Sequence, residues 1–218
     1  MTIRPLLCKA ALGCAPFLVP IPAEADDARR IEAGARLAMT VADGVPANDI
    51  PGYGIFGLYR LNDEWTLGVG LDRTEYDYEN PAALIGIPLD PDAEPIDAKA
   101  EGTVLSAWVE RSFSTPQSQT EWFLGAGLGA AALDVPNATG LTLTGGTFNI
   151  RTEADTEMIV SLLGGVRRKL GDRWFVEFSL RADQHFADWT STDQVSGGST
   201  TIDDYFAYGG NLGFGYRF

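Results

Sequence analysis

The chain has 218 residues and carries 16 basic against 30 acidic side chains, which gives a formal net charge of −14. This charge argues against a nucleic-acid partner, because few cations are left to neutralise phosphates, and an aromatic content of 11% argues against disorder. A helical membrane protein is excluded as well, because beyond residue 25 no apolar stretch approaches the roughly 20 residues that a spanning helix requires.

Residues 1–25 have the organisation of a secretory signal peptide. A short basic start is followed by a mostly apolar segment over 5–22, and Ala23 and Ala25 place small residues at the two positions that signal peptidase reads. We therefore predict cleavage after Ala25, which leaves residues 26–218 as a single mature domain.

Both cysteines, Cys8 and Cys14, lie in the segment that cleavage removes, so the mature protein is predicted to have neither a disulfide nor a thiol-bound metal. Residues 11–14 weakly resemble a lipoprotein cleavage box. Because residues 15–22 remain apolar, where a lipoprotein would become polar, lipidation is the less favoured alternative.

From Ile31 onward, apolar and polar residues alternate, which is typical of strands with one apolar and one polar face. Five segments alternate clearly, namely 31–40, 65–72, 121–128, 174–181 and 206–218, and three do so less cleanly, namely 53–61, 103–113 and 157–168. The sequence thus predicts eight strands, each about the roughly 9–11 residues that cross a bilayer at a tilt.

The predicted connections alternate between short and long. Short turns are expected at 62–64, 114–120 and 171–173, and long loops at 41–52, 75–102, 133–156 and 186–204. One end of the molecule would then carry tight turns and the other end loops, as in bacterial outer-membrane barrels with their short periplasmic turns.

Three tryptophans share one position relative to the short turns. Trp65, Trp122 and Trp174 each follow such a turn, at the start of the third, fifth and seventh predicted strands. In an up-and-down barrel these positions lie at one height, where amphipathic rings would form a periplasmic aromatic girdle at the lipid headgroups.

The polar face of the predicted strands carries charges of both signs. These are Glu32, Arg36, Arg60, Asp72, Glu110, Glu121, Glu157, Arg167, Glu177, Arg181, Asp183 and Arg217. A soluble lipocalin-like barrel would have to bury them in its core, which is costly unless nearly all are paired, and would expose a band of large apolar side chains to water. The inverted barrel, with its apolar face toward lipid, avoids both problems and is therefore favoured.

Within such a lumen we expect a paired charge network. Acids such as Glu121 or Glu177 would face Arg36, Arg181 or Arg217.

The pattern resembles the small eight-stranded outer-membrane barrels, the family that includes the OmpA transmembrane domain and the OmpW-type proteins. The residues that carry the resemblance are the signal-peptide end at 23–25, the strand at 121–127 and the terminal segment at 211–218. The resemblance implies an all-β, transmembrane, up-and-down antiparallel barrel of eight strands. It also implies that the protein is a monomer in contact with outer-membrane lipid.

The C-terminus resembles the signal that the barrel-assembly machinery reads. Phe218 is preceded at alternate positions by Tyr216, Phe214 and Leu212. The resemblance therefore implies this machinery and periplasmic chaperones as partners during biogenesis.

His185 is the only histidine and falls at the outer end of the seventh predicted strand. Barrel lipid A deacylases have a serine two residues after their histidine, whereas Ala187 occupies that position here. Because a general base without a nucleophile has nothing to activate, we expect His185 to lie at the base of a loop without a catalytic role.

Two other motifs are weaker. The glycines of 125–129 resemble a phosphate loop, but they lie inside an alternating strand and open no helix, so they are expected to make room for larger side chains across a narrow lumen. The acidic segment 75–102 could offer oxygen ligands to a divalent cation, but it has no recognised ligand spacing and contains several prolines, so a solvated acidic surface is expected. Neither a metal nor a cofactor is predicted.

The sequence therefore predicts a non-enzymatic outer-membrane barrel whose lumen is filled by side chains, with four outward loops and a role in envelope structure or surface interaction. A narrow transporter for small or hydrophobic solutes, as in OmpW-type barrels, is the first alternative. Phe56, Phe123 and Phe175 favour it weakly, because they would place apolar rings inside the lumen. A lipid A-modifying enzyme is the second alternative.

Overall fold

The computed structural model describes residues 31–43, 50–79, 86–87, 97–114 and 118–218. The predicted signal peptide and most of the acidic segment 75–102 lie outside the described residues. The strands are β1 (Ile31–Asp43), β2 (Ile50–Arg60), β3 (Trp65–Glu79), β4 (Asp97–Ser112), β5 (Thr120–Asp134), β6 (Ala138–Leu141), β7 (Thr147–Ala154), β8 (Glu157–Leu170), β9 (Trp174–Phe186), β10 (Trp189–Asp193), β11 (Ser199–Ile202) and β12 (Tyr205–Arg217).

Eight of these strands form a closed antiparallel barrel in the order β1-β2-β3-β4-β5-β8-β9-β12, and β12 returns to pair with β1. Closure leaves the barrel without an open edge, so each backbone group can find a partner in a neighbouring strand. The predicted all-β barrel of eight antiparallel strands is confirmed. Within the part of the chain that the structure describes, no helix is long and apolar enough to cross a membrane.

The two faces of the barrel differ sharply in chemistry. Leu37 and Trp122, on the outer face, are 64% and 62% exposed, whereas Glu110 and Arg167, on the inner face, are each 1% exposed. The apolar residues thus lie outside and the charged residues inside, as the alternation predicts.

The tight turns are stabilised locally. Between β2 and β3, the Asn62 side-chain oxygen accepts hydrogen bonds from the backbone amides of Glu64 (2.9 Å) and Trp65 (2.8 Å). Between β8 and β9, Gly171 adopts a φ of 79°, a left-handed conformation that side chains disfavour. These turns lie at the same end of the barrel as the first barrel residue, Ile31, and the last residue, Phe218.

The loops predicted at 133–156 and 186–204 are wrong in part, because they contain four strands. These form a separate four-stranded sheet in the order β11-β10-β7-β6, hereafter the outer sheet. Phe148 and Ile150 on β7 are each 1% exposed, so one face of this sheet is buried. The predicted loop at 75–102 is also too long, because β3 and β4 continue pairing up to Glu79 and Asp97.

Candidate functional site

At the short-turn end of the barrel, the lumen contains a cluster of charged side chains around Arg167 of β8. Its guanidinium donates to Glu177 Oε2 from Nε (3.0 Å) and from Nη2 (2.6 Å), and to Glu110 Oε1 from Nη1 (2.9 Å). Glu121 Oε1 lies 3.6 Å from Nη1. Two of these contacts follow from the strand register, since Glu177 and Glu121 lie directly opposite Arg167 on the two neighbouring strands.

Two further arginines extend this cluster toward the mouth with the short turns. Arg60 Nη2 lies 2.9 Å from Glu121 Oε2 and 3.2 Å from Glu32 Oε1. Arg217 forms an ion pair with Glu32 (2.9 Å) and lies 3.9 Å from Glu121. The inner cluster thus comprises Arg60, Arg167 and Arg217 with Glu32, Glu110, Glu121 and Glu177.

The middle of the lumen carries a bidentate ion pair. Arg36 donates from Nε to Asp72 Oδ1 (2.7 Å) and from Nη2 to Asp72 Oδ2 (2.5 Å). The two residues lie on β1 and β3, and Gly54 of β2 lies opposite both of them. Because Gly54 has no side chain, Arg36 reaches across the intervening strand.

Arg181 forms a separate pair nearby. Its Nε donates to Asp183 Oδ1 (2.7 Å) and its Nη2 to Ser161 Oγ (2.9 Å). Of the three arginines expected to face Glu121 or Glu177, Arg217 does lie near Glu121 (3.9 Å). Arg36 and Arg181 pair with aspartates instead. The sequence pattern indicates which face a charge occupies but not its height in the lumen, which the strand register sets.

Aromatic rings fill the space between these charges. Phe56, Phe123, Phe175 and Trp108 are all buried, and the Arg167 guanidinium lies 4.9 Å from the Phe123 ring centre and 5.4 Å from that of Phe175. The space opposite Phe175 is provided by Gly215, where any Cβ atom would overlap the ring. The cavity left beside Trp108 is only ≈ 10 Å³, so side chains nearly fill the lumen at this height.

Glu157 organises the outer end of the lumen. Its carboxylate accepts hydrogen bonds from the Trp189 indole and from the Tyr205 hydroxyl (3.1 Å), and it lies 2.8 Å from His185 Nδ1. His185 is itself buried and stacks on Tyr205. His185 is the penultimate residue of β9 and thus lies at the base of the connection to β10, as expected. Glu157 lies apart from the arginine pairs with which the sequence grouped it.

An apolar cluster closes the outer mouth above Glu157. It consists of Ala42, Ile50, Ala100, Ala187, Trp189, Tyr205 and Ala207, with Leu133, Val135, Ala154 and Ile202 packed against it. Trp189, Ala154 and Ile202 come from the outer sheet, so the base of this sheet is the lid of the barrel.

A cavity of ≈ 60 Å³ lies beneath the lid. Its surface is mostly apolar, with Ile50, Val104 and Ile159 in the lining, and Asp183 and His185 are among the polar residues that border it. This volume accommodates a few water molecules and nothing much larger. Among the residues that the structure describes, no three His, Cys, Asp or Glu side chains are grouped so as to hold a metal ion.

The three tryptophans and the C-terminal aromatic residues lie on the outside of the barrel at the short-turn end. Trp65, Trp122 and Trp174 are 39%, 62% and 46% exposed. Trp174 stacks on Phe214 (5.0 Å between ring centres) and contacts Tyr216 edge-on (4.8 Å). Leu212, Phe214 and Phe218 are likewise exposed, and the Phe218 amide donates to the Ile31 carbonyl of the first strand (3.0 Å).

Comparison with known proteins identifies a fold and no closer relationship. No family model matches the chain, and no curated protein matches its sequence. Among solved structures, the outer membrane protein OprG from Pseudomonas aeruginosa matches with a TM-score of 0.64 and 10% identity, over 88% of this chain and 96% of that one. Neisserial surface protein A matches with a TM-score of 0.47 and 19% identity (86% and 94% covered), and Escherichia coli outer membrane protein W with 0.43 and 16% (88% and 100%). The likeness to OprG confirms the resemblance at the level of fold: this chain has the fold of the small eight-stranded outer-membrane β-barrels.

Proposed function

We propose that the protein is a bacterial outer-membrane barrel without enzymatic activity, which contributes to envelope structure or surface interaction. The observation that carries this proposal is the inverted distribution of side chains, with exposed Leu37 and Trp122 outside and buried Arg167 inside. In a hydrocarbon environment only helices and closed barrels satisfy every backbone group, and this chain forms a closed barrel.

Delivery follows from the two ends of the chain. Residues 1–25 act as a signal peptide, and residues 26–218 form the barrel domain, which inserts as a monomer. Leu212, Phe214, Tyr216 and Phe218 form the signal for the assembly machinery, supported by their position on the strand that closes the barrel. Periplasmic chaperones carry the unfolded chain to that machinery. In the inserted barrel, the short turns and the girdle of Trp65, Trp122 and Trp174 lie on the periplasmic side.

Deleting Phe218 tests the assembly signal. We expect insertion in cells to fall far more than refolding in detergent, because the machinery reads the terminal ring whereas refolding loses one exposed side chain and one backbone hydrogen bond to Ile31. Insertion is measured by outer-membrane fractionation and refolding by gel mobility. Equal losses in the two assays would leave packing alone as the role of Phe218.

The closed lumen supports a structural role over conduction. The Arg36–Asp72 pair and Trp108 occupy its middle, and the lid that contains Trp189 covers its outer end. Eight strands enclose a space just wide enough for side chains to fill. The four-stranded outer sheet, carried beyond the membrane, is then the surface through which the protein meets its surroundings.

Gated passage of a small solute is the second candidate, in the manner of a narrow transporter. The cavity of ≈ 60 Å³ favours it, because a compartment between two closures is what stepwise passage requires. Its wall combines a mostly apolar surface with the polar side chains of Asp183 and His185, so it selects neither polar nor hydrophobic solutes. A lipid A-modifying enzyme is disfavoured, because the Glu157–His185 pair contacts a tyrosine and a tryptophan rather than a serine.

Two measurements on the refolded mature protein test the proposal. Boiled and unboiled samples should migrate differently on gels, because a closed barrel resists detergent until it is heated. Planar bilayers should then show no stable single-channel conductance. Replacing Trp108 by Ala, which empties the middle of the lumen, should raise conductance above that of Leu37→Ala, a control on the outer face. Equal mobility of the boiled and unboiled samples would refute the barrel. Stable single-channel conductance by the wild-type protein would favour the transporter.

A further inference from the structure

Three arginines lie outside the barrel at the short-turn end, and two of them are engaged within the protein. Arg111 forms an ion pair with Glu64 (3.0 Å), and its guanidinium lies over the Trp65 ring. Arg173 donates a hydrogen bond to the Tyr216 hydroxyl (2.7 Å) and lies over the same ring. Both guanidinium groups therefore help to hold aromatic rings in place at the short-turn end of the barrel.

The third, Arg168, is exposed on the outer face of β8 and has no ion pair or hydrogen bond in the described part of the chain. Thr120 of β5 and Val176 of β9 lie directly opposite Arg168. Trp122 on β5 lies opposite Val166 and Trp174 on β9 lies opposite Leu170, so each is a diagonal neighbour of Arg168, one on either side of it along β8. An uncompensated cation thus lies between two exposed tryptophans.

The polar side chains near Arg168 on the outer face can all donate hydrogen bonds. They are its guanidinium, the Thr120 hydroxyl and the indole N–H groups of Trp122 and Trp174, and none of them has an acceptor among the described residues. The neighbouring carboxylate of Glu121 points into the lumen, where Arg60 binds it. A guanidinium with free hydroxyl and indole donors matches the oxygens of a phosphate.

The position of these donors selects the kind of phosphate. The two tryptophans belong to the girdle that we place at the periplasmic headgroups, so a phosphate beside Arg168 would be attached to a lipid whose glycerol and chains contact the rings. We propose that Arg168, Thr120, Trp122 and Trp174 bind the phosphate of an anionic phospholipid in the periplasmic leaflet. This site rests on the membrane orientation proposed above.

Lipid retention by the intact mature protein tests this site. The protein is refolded, checked for heat-dependent gel mobility and placed in phosphatidylcholine nanodiscs that contain a minor fraction of phosphatidylglycerol. Native mass spectrometry then counts the phosphatidylglycerol molecules that remain bound. The variants are Arg168→Gln and, as a control of equal charge change, Arg151→Gln, an exposed arginine on the outer sheet.

We expect Arg168→Gln to retain roughly fivefold less phosphatidylglycerol, because one basic residue near an anionic membrane surface is worth about 1 kcal/mol. Arg151→Gln should retain as much as the wild type, and phosphatidylcholine should be retained poorly by all three. Equal retention of phosphatidylglycerol by the three proteins would overturn the proposal.

A second arm separates lipid from free phosphate. Inorganic phosphate is offered to the same proteins in detergent at the concentration used for phosphatidylglycerol. Adducts of inorganic phosphate that depend on Arg168 as strongly as those of the lipid would overturn the assignment to a phospholipid. Identical gel mobility of boiled and unboiled protein would instead refute the proposed barrel function, and the site with it.

Discussion

The two halves of the lumen are closed by different chemistry. Near the short turns, Arg167 pairs with carboxylates on three other barrel strands, so that half is closed by the barrel itself. At the outer end, apolar residues of the barrel strands pack with Trp189 of the outer sheet to form a lid, and Glu157 accepts a hydrogen bond from the Trp189 indole. The inner closure can therefore open only if ion pairs break, whereas the outer closure can open if one sheet moves.

Removing the centre of the inner closure should have the largest effect. Arg167→Met leaves Glu110 and Glu177 buried without their main cation, and breaking a buried pair in this way costs about 3–5 kcal/mol. Urea unfolding of the refolded barrel measures the change. Arg151→Met, which removes an exposed pair with Glu153, should change stability by about 0.5 kcal/mol or less. Similar losses for both variants would show that the inner closure is not held by its charges.

Glu157→Gln should act on the outer closure alone. The amide replaces one acceptor oxygen by an NH2 donor, so the Trp189 and Tyr205 donors no longer have an oxygen each and the present arrangement is lost, at a cost of about 1–3 kcal/mol. Hydrogen exchange should rise in the outer sheet and stay unchanged in the lower barrel. Glu153→Gln, on the exposed face of that sheet, serves as the control. Faster exchange throughout the barrel would contradict the separation of the two closures.

Two glycines of β2, near the boundary between the two halves of the lumen, differ in the space that lies beside them. A Cβ at Gly54 would overlap the Asp72 carboxylate, whereas a Cβ at Gly57 would lie 3.6 Å from Val69 Cγ2, an ordinary contact. Gly54→Ala should therefore destabilise the barrel by about 1–3 kcal/mol through overpacking. Gly57→Ala should be nearly neutral in the same unfolding assay, and the opposite ranking would refute the role given to the Arg36–Asp72 pair.

The smallest effect concerns the turn that joins β10 and β11. The Ser196 hydroxyl and the Asn149 amide donate to Asp193 and lower the pKa of its carboxyl from 3.8 to about 2. A carboxyl with a lowered pKa stabilises the folded state above its ordinary pKa, and that contribution is lost as the pH falls through the folded value. Protease cleavage at this turn should rise between pH 4 and pH 2, below the ordinary 3.8 and down to the folded value of about 2. Asp193→Asn should abolish the pH dependence, and an unchanged dependence in that variant would contradict the assignment.

The faces of the barrel strands could be predicted from the sequence because a strand alternates with a period of two whatever its partner. Exposed Leu37 and buried Arg36 follow from this rule. The ion partners could not be predicted in the same way, since Arg36 reaches Asp72 only across Gly54 and in one register. Register is set by closure of the whole barrel, which no local pattern contains.

The sequence pattern does not predict the outer sheet, and the reason is a different one. Its strands are short, and their exposed face is rich in threonine, so Thr190 and Thr192 read as loop residues. The buried residues Phe148 and Ile150 alternate correctly over a segment of only 8 residues. That alternation, together with the glycines at 145 and 197, is the sequence signal for this sheet, and the structure places both glycines at turns with a positive φ of 79° and 76°.

The pairing between β7 and β10 joins two hairpins that leave the membrane at different points of the chain. β7 belongs to the connection between β5 and β8, and β10 to that between β9 and β12, yet Thr152 and Ser191 share a hydrogen bond (2.8 Å) across the junction. Neither hairpin can move away from the other unless the pairing between β7 and β10 breaks. The outer sheet therefore acts as a cross-link between two connections that are far apart in the sequence, and it ties the β5–β8 part of the barrel to the β9–β12 part beyond the barrel wall.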